Sequence, residues 1–269
     1  MRTEASLLAI QHLVIDLDGV LYRGQEAIPG AAQFIAFLRG RNLGFVLATN
    51  NSTRTPQQYA EKLARMGIDV LPGEVLTSAE ATAGYLLTRT PPGTRMFVVG
   101  MDGLRAALQE AGFALVEDGA EYVVAGMDFT ICFERLAQAA LQIRAGAHFV
   151  GTNPDRTFPS ERGIIPGCGS LLAFLESATG VAPTIVGKPQ TAMIDQALIV
   201  LGASRAQTAM VGDRLETDIL AGRRAGLHTL LVLSGVTQAE MLAGSETQPD
   251  LVFRDVGELR EVWEATAGG

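Results

Sequence analysis

Short apolar segments alternate with longer amphipathic segments along most of this chain. The short runs are rich in β-branched residues and predict strands, whereas the stretches between them repeat apolar residues with helical spacing. This alternation is typical of parallel sheets covered by helices, so we expect an α/β fold. The predicted strands cover residues 13–16, 45–49, 96–100, 122–125, 148–151, 184–186, 209–213, 229–233 and 251–253, and the clearest helices cover 29–41, 55–66 and 190–201.

The middle of the chain forms a strand–helix pattern of its own. Unlike the flanking segments, it carries no acidic residues at the ends of its predicted strands. A stretch of about 100 residues is large enough to be a domain. We therefore predict a discontinuous core domain, residues 1–82 and 184–269, and a second α/β domain, residues 83–183, inserted into it.

The composition of the chain limits which partners and which cellular compartment we expect. The chain has 269 residues, a net charge of −8 and no stretch rich in Lys and Arg, which argues against nucleic acid as a partner. No apolar run is long enough to span a bilayer, and residues 1–9 are too weakly patterned for a signal peptide. Cys132 and Cys168 lie far apart without metal-ligand spacing, which favours two free thiols in a reducing cytoplasm.

Two carboxylates, Asp16 and Asp18, follow the apolar run Leu13-Val14-Ile15. Ligands of open α/β sheets bind outside the carboxyl ends of the strands, so these acids are placed for chemistry. A carboxylate can attack a phosphoryl group, while a second acid protonates the leaving oxygen and later deprotonates water. Neighbouring carboxylates need a cation, and Mg²⁺ is the hard divalent ion that suits such oxygen ligands. The competing interpretation is a solvated acidic turn.

Two further polar segments follow predicted strands. Thr49-Asn50-Asn51-Ser52 offers a hydroxyl and backbone amides before a helix, which suits a phosphate but is equally compatible with a capped turn. Gly187-Lys188-Pro189 would place an ammonium at a strand end, where it could neutralise phosphoryl oxygens, although an exposed lysine is the simpler interpretation.

The fourth polar segment begins with Gly212-Asp213 after the predicted strand 209–213. Asp213 is at the strand end and could ligate a metal. Asp218 follows five residues later and could act on the metal directly or through water. The strand ends that carry Asp16, Thr49 and Asp213 should lie on one edge of one sheet.

Together, in this order, the four segments resemble the haloacid dehalogenase superfamily. The resemblance covers the whole core and implies a Rossmann-like parallel-sheet core that uses Mg²⁺. It implies Asp16 as nucleophile, Asp18 as general acid/base, Thr49 as phosphate ligand and Lys188 as charge clamp. Asp213 would ligate the metal together with Asp16 and the Asp18 carbonyl. Asp218 would support these ligands without being one of them. An Asp at the second position of the first motif is similar to the phosphatase branch.

The long segment between Asn51 and Lys188 resembles the subgroup with a large α/β cap of C2 type, the NagD-like or 4-nitrophenylphosphatase group, which includes phosphoglycolate phosphatases. Tyr22-Arg23-Gly24, Thr49-Asn50-Asn51-Ser52 and Gly151-Thr152-Asn153-Pro154-Asp155 are similar to that group. The resemblance implies a small phosphorylated metabolite as substrate and a homodimer formed through the cap. Phosphate or substrate contacts fall to Thr49, Asn50, Asn51, Asn153 and Asp155.

The expected activity is therefore Mg²⁺-dependent hydrolysis of small phosphomonoesters through an aspartyl-phosphate. A phosphotransferase or mutase using the same intermediate is the first alternative. Residues 20–49 leave room for only one helix, whereas mutases of this superfamily usually carry a cap there, which favours hydrolysis. A non-catalytic sensor of a phosphorylated metabolite is the second alternative, and the retention of every acid argues against it.

Overall fold

The computed structural model describes residues 4–160 and 163–268. Strands and helices alternate through both described ranges, as the hydrophobic pattern predicts. Most predicted strands are shifted by no more than one residue. The strands are β1 His12–Ile15, β2 Tyr22–Arg23, β3 Glu26–Ala27, β4 Gly44–Thr49, β5 Val75–Thr77, β6 Arg95–Val99, β7 Ala114–Leu115, β8 Tyr122–Ala125, β9 His148–Gly151, β10 Thr157–Ser160, β11 Gly163–Pro166, β12 Thr184–Ile185, β13 Thr208–Gly212, β14 His228–Val232 and β15 Leu251–Phe253. The helices are α1 Ala31–Gly40, α2 Pro56–Arg65, α3 Ser78–Leu87, α4 Asp102–Glu110, α5 Phe133–Arg144, α6 Cys168–Thr179, α7 Thr191–Leu201, α8 Leu220–Ala225, α9 Ala239–Leu242 and α10 Val256–Gly268.

The chain divides into two units, each with its own sheet. The core unit comprises Met1–Thr49, Pro56–Leu76 and Pro189–Gly269, and the cap unit comprises Asn50–Thr55 and Thr77–Lys188. The cap unit thus starts before residue 83 and ends after residue 183, the bounds expected from the sequence. The short segment Asn50–Thr55, which we had expected in the core, groups with the cap unit.

The core unit contains a six-stranded sheet in the order β15-β14-β13-β1-β4-β5. Strand β1 pairs in parallel with both β13 and β4. Leu13, Val14 and Ile15 on β1 are completely buried because both faces of a central parallel strand are covered. This strand order places the carboxyl ends of β13, β1 and β4 side by side, which confirms the predicted common edge.

The cap unit contains a five-stranded sheet in the order β12-β9-β8-β6-β7, again with parallel pairs. Strand β12 was expected in the core, and that expectation was wrong. Its residue Thr184 is paired with Val150 of β9 in the cap sheet. The two-residue strand is too short for its sequence to indicate which of two similar parallel sheets it joins.

Two antiparallel hairpins, β2–β3 and β10–β11, were not predicted because their strands are short or only partly apolar. Helix α1 begins at Ala31 and not at residue 29, since Gly30 before it adopts a left-handed φ of 86° that ends any earlier helical turn. Within the described residues, no helix has the length and apolar character needed to cross a membrane.

Candidate active site

The core unit gathers its acids at the carboxyl edge of its sheet. Asp16 directly follows β1, and Asp213 directly follows the neighbouring strand β13. Because Ile15 is paired with Val211, Asp16 lies opposite Gly212, and Asp213 follows one residue further along the adjacent strand. Thr49 ends β4 on the other side of β1 and is 4% exposed. The strand register therefore places Asp16, Thr49 and Asp213 along one edge, as the sequence predicts.

Three carboxylates come together at this edge. Asp16, Asp213 and Asp218 each offer an oxygen, and these oxygens lie within 4.8 Å of one another. Asp213 is 1% exposed and Asp218 is 2% exposed. Asp218 lies in a short π-helical segment, Leu215–Ile219, and its Oδ2 accepts a hydrogen bond of 3.1 Å from the Arg214 backbone NH. The structure thus groups the Asp218 carboxylate directly with the other two.

Glycines allow the backbone to approach these acids closely. A Cβ atom on Gly235 would lie 1.9 Å from Asp213 Oδ2, and one on Gly19 would lie 2.4 Å from the same oxygen. A Cβ on Gly212 would lie 2.1 Å from the Asp218 Cβ. No side chain fits at these three positions, so the glycines are required for the acids to be packed here.

The loop after β14 holds the Asp213 carboxylate in place. The backbone NH of Val236 donates a 2.6 Å hydrogen bond to Asp213 Oδ2, and the Thr237 NH donates to the Asp213 carbonyl. Ser234 Oγ donates to the Gly19 carbonyl at 2.7 Å, which ties this loop to the turn after β1. This loop was not predicted, although it follows strand β14 at the same sheet edge and the rule that identified Asp16 and Asp213 applies to it.

The donor set of this cluster fits Mg²⁺. Three converging carboxylates supply only hard oxygen ligands, which is the preference of Mg²⁺. Burying like charges this close is unfavourable unless a cation offsets their repulsion. Asp16, Asp213 and Asp218 are therefore the side chains that would hold the ion.

Asp18 lies on the turn after β1 and is exposed. Its Oδ2 accepts a 3.0 Å hydrogen bond from the Tyr22 hydroxyl. Tyr22 itself is completely buried, and burial, followed by the charge of Asp18, raises the pKa of this tyrosine far above its ordinary value. The Lys62 ammonium lies 3.5 Å from the centre of the Tyr22 ring. Neither Tyr22 Oη nor Lys62 was predicted to act here, since Lys62 sits inside helix α2 without any motif around it.

The cap unit contains a second polar cluster, centred on Asn50. The Asn50 side-chain oxygen accepts a 2.8 Å hydrogen bond from the backbone NH of Lys188. Its amide group donates to the Lys188 carbonyl at 2.9 Å and to the two Asp155 carboxylate oxygens at 3.2 and 3.3 Å. The side chain of Asn50 thus fixes the backbone of Lys188 on both sides and reaches the loop after β9.

Further hydrogen bonds complete this cluster. Asn153 Nδ2 donates to the Asn50 carbonyl at 2.6 Å, and Asn153 Oδ1 accepts from the Asp155 NH at 3.2 Å. Ser78 Oγ also donates to the Asn50 carbonyl. Asn51 serves a separate turn, in which its Oδ1 accepts from the NH and hydroxyl of Thr53. Four of the predicted residues in this unit, Asn50, Asn153, Asp155 and Lys188, are therefore neighbours, and Asn51 faces its own turn.

Lys188 is not an exposed lysine, because only 1% of its surface is accessible. Gly187 before it is equally constrained, since a Cβ there would lie 2.5 Å from the Thr152 carbonyl and 2.8 Å from Asn50 Oδ1. Lysine is almost never buried unless its charge is paired. The structure thus excludes the simpler interpretation, in which Lys188 is an exposed lysine.

Comparison with known proteins defines the family. A family model described as haloacid dehalogenase-like hydrolase matches residues 13–114, and a second, described as HAD-hydrolase-like, matches residues 185–259. The acid sugar phosphatase of Staphylococcus epidermidis is 42% identical over 247 residues, which cover 91% of this chain and 95% of that protein.

Solved structures share the whole fold. The 4-nitrophenylphosphatase from Thermotoga maritima superposes with a TM-score of 0.92 at 37% identity, covering 96% of this chain and 99% of that one. The glycerol phosphate phosphatase from Mycobacterium tuberculosis, solved in complex with magnesium, gives a TM-score of 0.88 at 36% identity, covering 96% of this chain and 78% of that one.

These matches, together with the acidic edge of the core sheet, identify the chain as a member of the haloacid dehalogenase family. It has the parallel-sheet core and the inserted α/β cap of that family. The predicted membership in the 4-nitrophenylphosphatase group is confirmed, and the chain is a phosphatase, a hydrolase of phosphoric monoesters.

Proposed function

We propose that this phosphatase hydrolyses small phosphomonoesters with the help of Mg²⁺ and through a phosphorylated aspartate. The observation that carries the proposal is the group of three converging carboxylates, two of them fully buried, beside the exposed acid Asp18. One of the three, Asp16, is 9% exposed and so remains accessible to a substrate. The names of the relatives, which include a sugar phosphatase and a glycerol phosphate phosphatase, support a small phosphorylated metabolite as substrate.

Asp16 is the proposed nucleophile. One of its carboxylate oxygens bonds to phosphorus while the ester P–O bond breaks, and the leaving oxygen takes a proton from Asp18. A water molecule then gives a proton to Asp18 and attacks the same phosphorus. That attack breaks the bond to Asp16 and releases phosphate, so both acids return to their starting state.

The remaining charges support these steps. Asp213 and Asp218 would hold Mg²⁺ together with Asp16 and the Asp18 carbonyl, and the bound ion would supply positive charge to the phosphoryl oxygens. Lys188 supplies a further positive charge, and Thr49 supplies a hydroxyl for the phosphate. Asn50 acts by holding the backbone of Lys188, since its side-chain amide is committed to Lys188 and Asp155. Asn51, Asn153 and Asp155 are proposed to complete the substrate-binding loops.

The test is phosphate release from a panel of phosphomonoesters with Mg²⁺ or with EDTA. The panel holds p-nitrophenyl phosphate, phosphoglycolate, pyridoxal phosphate, a sugar phosphate and nucleoside monophosphates. We expect release that requires Mg²⁺ and falls by roughly 10³-fold or more in Asp16→Asn. An Asp16→Asn enzyme with near wild-type activity would remove the nucleophile assignment. Transfer of phosphate to an added alcohol in preference to water would instead indicate a phosphotransferase.

A homodimer through the cap unit is the proposed assembly. Phe133 is 74% exposed and packs edge-on against Phe174, which is 42% exposed, with ring centres 6.5 Å apart. Exposed apolar patches of this kind commonly mark interfaces. Light scattering should find a dimer that Phe133→Asp dissociates and that the control Ile199→Asp, on an exposed apolar residue of the core unit, does not. A monomeric wild-type protein would contradict the proposal.

The proposal also covers the partners of the protein and its cellular compartment. The acidic net charge supports a substrate bound by a local site without nucleic acid or a membrane as partner. Two free thiols, one of them exposed at Cys132, support a cytoplasmic location. Fractionation of cells that express the tagged chain would test the location, and recovery outside the cytoplasm would contradict it.

A further inference from the structure

The hydroxyl of Tyr22 is the feature of the core unit that the proposed chemistry leaves unused. It donates a 3.0 Å hydrogen bond to Oδ2 of Asp18. The two partners differ sharply in their surroundings, because Tyr22 is completely buried whereas Asp18 is exposed. The ring of Tyr22 is thus fixed by packing, whereas the Asp18 carboxylate lies at the surface.

The backbone brings these two residues together. The NH of Gly19 donates to the Tyr22 carbonyl at 2.8 Å, and the NH of Leu21 donates to the Leu17 carbonyl at 2.9 Å. Asp18 and Tyr22 also form an isolated bridge between their backbones. The turn is therefore closed by its own backbone hydrogen bonds, which bring Asp18 and Tyr22 next to each other.

A buried cation also contacts the Tyr22 ring. Lys62, on helix α2, is 7% exposed and holds its ammonium 3.5 Å from the ring centre. A cation over an aromatic face is attracted by the ring, and the attraction grows when water is excluded. The cation also draws electron density from the phenol, which strengthens the hydroxyl as a donor to Asp18.

We propose that Tyr22 is a positioning residue for the hydrolysis of phosphomonoesters, holding Asp18 so that its proton is carried on Oδ1. The inference rests on the proposed function, in which Asp18 is the general acid. Because Tyr22 Oη donates to Oδ2, that oxygen acts as an acceptor, and the proton of the acid form belongs on the other oxygen. As the ester P–O bond breaks, this proton passes from Oδ1 to the leaving oxygen, and Tyr22 keeps its own proton throughout.

Leaving-group dependence tests this role. A positioned acid matters most when the leaving oxygen is strongly basic and little when it is an acidic phenol. The assay measures kcat/KM for p-nitrophenyl, 4-chlorophenyl and phenyl phosphate, which are similar in size but increase in leaving-group basicity. For Tyr22→Phe we expect a loss of about tenfold or more on phenyl phosphate and less than about twofold on p-nitrophenyl phosphate.

Three further variants define the comparison. Asp18→Asn should show the same selective loss, only larger. Lys62→Met keeps the length of the side chain and removes its charge, so it should show a smaller loss of the same selectivity. Tyr122→Phe, which removes a tyrosine hydroxyl from strand β8 of the cap unit, is the matched control. It should leave kcat/KM unchanged on all three substrates.

The outcomes separate the inference from the proposed function. A Tyr22→Phe enzyme that loses activity equally on all three substrates, or loses none on phenyl phosphate, would overturn the positioning role. If Asp18→Asn meanwhile keeps its selective loss, the proposed function stands. If Asp18→Asn itself lacks that selectivity, the general-acid assignment fails, and the inference about Tyr22 is overturned with it.

Discussion

The two polar clusters of this protein are built on opposite electrostatic principles. In the core unit, Asp16, Asp213 and Asp218 bring three like charges within 4.8 Å of one another. In the cap unit, the side-chain amide of Asn50 pairs with both acceptors and a donor. It donates to the Asp155 carboxylate and the Lys188 carbonyl, and it accepts from the Lys188 NH. The carboxylates of the first cluster repel one another, whereas the polar groups of the second cluster are paired by hydrogen bonds within the cluster.

The two clusters therefore affect the stability of the folded protein in different ways. Like charges that are buried together destabilise the folded protein until a cation arrives, so the cost of the core cluster becomes affinity for the ion. Buried hydrogen bonds contribute to stability directly, and each costs free energy when one partner is removed. We therefore expect the core cluster to respond to metal and the cap cluster to respond to changes in hydrogen-bonding groups.

The largest effect is expected for Asp213→Asn. It should lower phosphatase activity by roughly 10³-fold, because a ligand of the proposed ion loses its charge. Stability should change in opposite directions with and without metal. In EDTA the variant should melt a few degrees higher than the wild type, since one repelling charge is gone, and in excess Mg²⁺ the wild type should melt higher. Thermal melts in both buffers check this, and a wild type that Mg²⁺ fails to stabilise would contradict it.

Gly235→Ala tests the packing around the acids. The added Cβ would lie 1.9 Å from Asp213 Oδ2, so the loop after β14 or the carboxylate must move. We expect the free energy of unfolding to fall by about 2 kcal/mol and the activity to fall at least tenfold. Gly244→Ala is the matched control, because nothing lies within 4 Å of its added Cβ. Denaturant titration and phosphatase kinetics on both variants test this prediction. Equal free energies of unfolding and equal activities in the two variants would contradict the tight packing.

Asn50→Asp tests the cap cluster. The new carboxylate still accepts from the Lys188 NH but loses the donor to the Lys188 carbonyl and faces the charge of Asp155. We expect a loss of about 3 kcal/mol in stability and roughly 10- to 100-fold in activity, with a milder loss for Asn50→Ala. Asn42→Asp is the control, because that exposed residue adopts a left-handed φ of 54° that Asp tolerates. An Asn50→Asp enzyme as stable as Asn50→Ala would show that the repulsion is absent.

The smallest effect concerns the two thiols of the cap unit. Burial raises the pKa of the Cys168 thiol to about 11, whereas Cys132 is exposed. Since the thiolate is the reactive form, the native protein at pH 8 should release one equivalent from a chromogenic disulfide reagent, and the unfolded protein should release two. Two fast equivalents from the native protein would contradict the burial of Cys168. The Cys132→Ser variant should lose the fast equivalent only.

The acids of the core unit could be predicted because their positions follow from a simple rule. Asp16 and Asp213 each come directly after a buried apolar run, and parallel strands meet at one edge of their sheet. The strands themselves were recognisable because Leu13, Val14 and Ile15 belong to a continuous apolar run that is covered on both faces. Local pattern and global placement agree at these residues.

Other features could not be read from the sequence. Strand β12 joins the cap sheet although its sequence resembles a core strand, because partner choice depends on which edge is available. The spacing after Asp213 placed Asp218 near the metal but left open whether it acts directly or through water, and only the π-helical segment Leu215–Ile219 brings its carboxylate into the group. Lys62 reaches Tyr22 from a helix forty residues further along the chain, and helical periodicity shows only that it lies on one face of α2.

The sequence by itself thus determined the fold class, the family and the acids that follow strands, since these depend on periodicity and on motifs that are short in sequence. The tertiary structure alone decided which polar groups contact each other: the hydrogen bond from Tyr22 to Asp18, the ammonium over its ring and the clamp of Asn50 on Lys188. Such contacts join residues that are distant in the chain or depend on the exact path of a turn. Their distances are fixed only when the sheets and helices have packed.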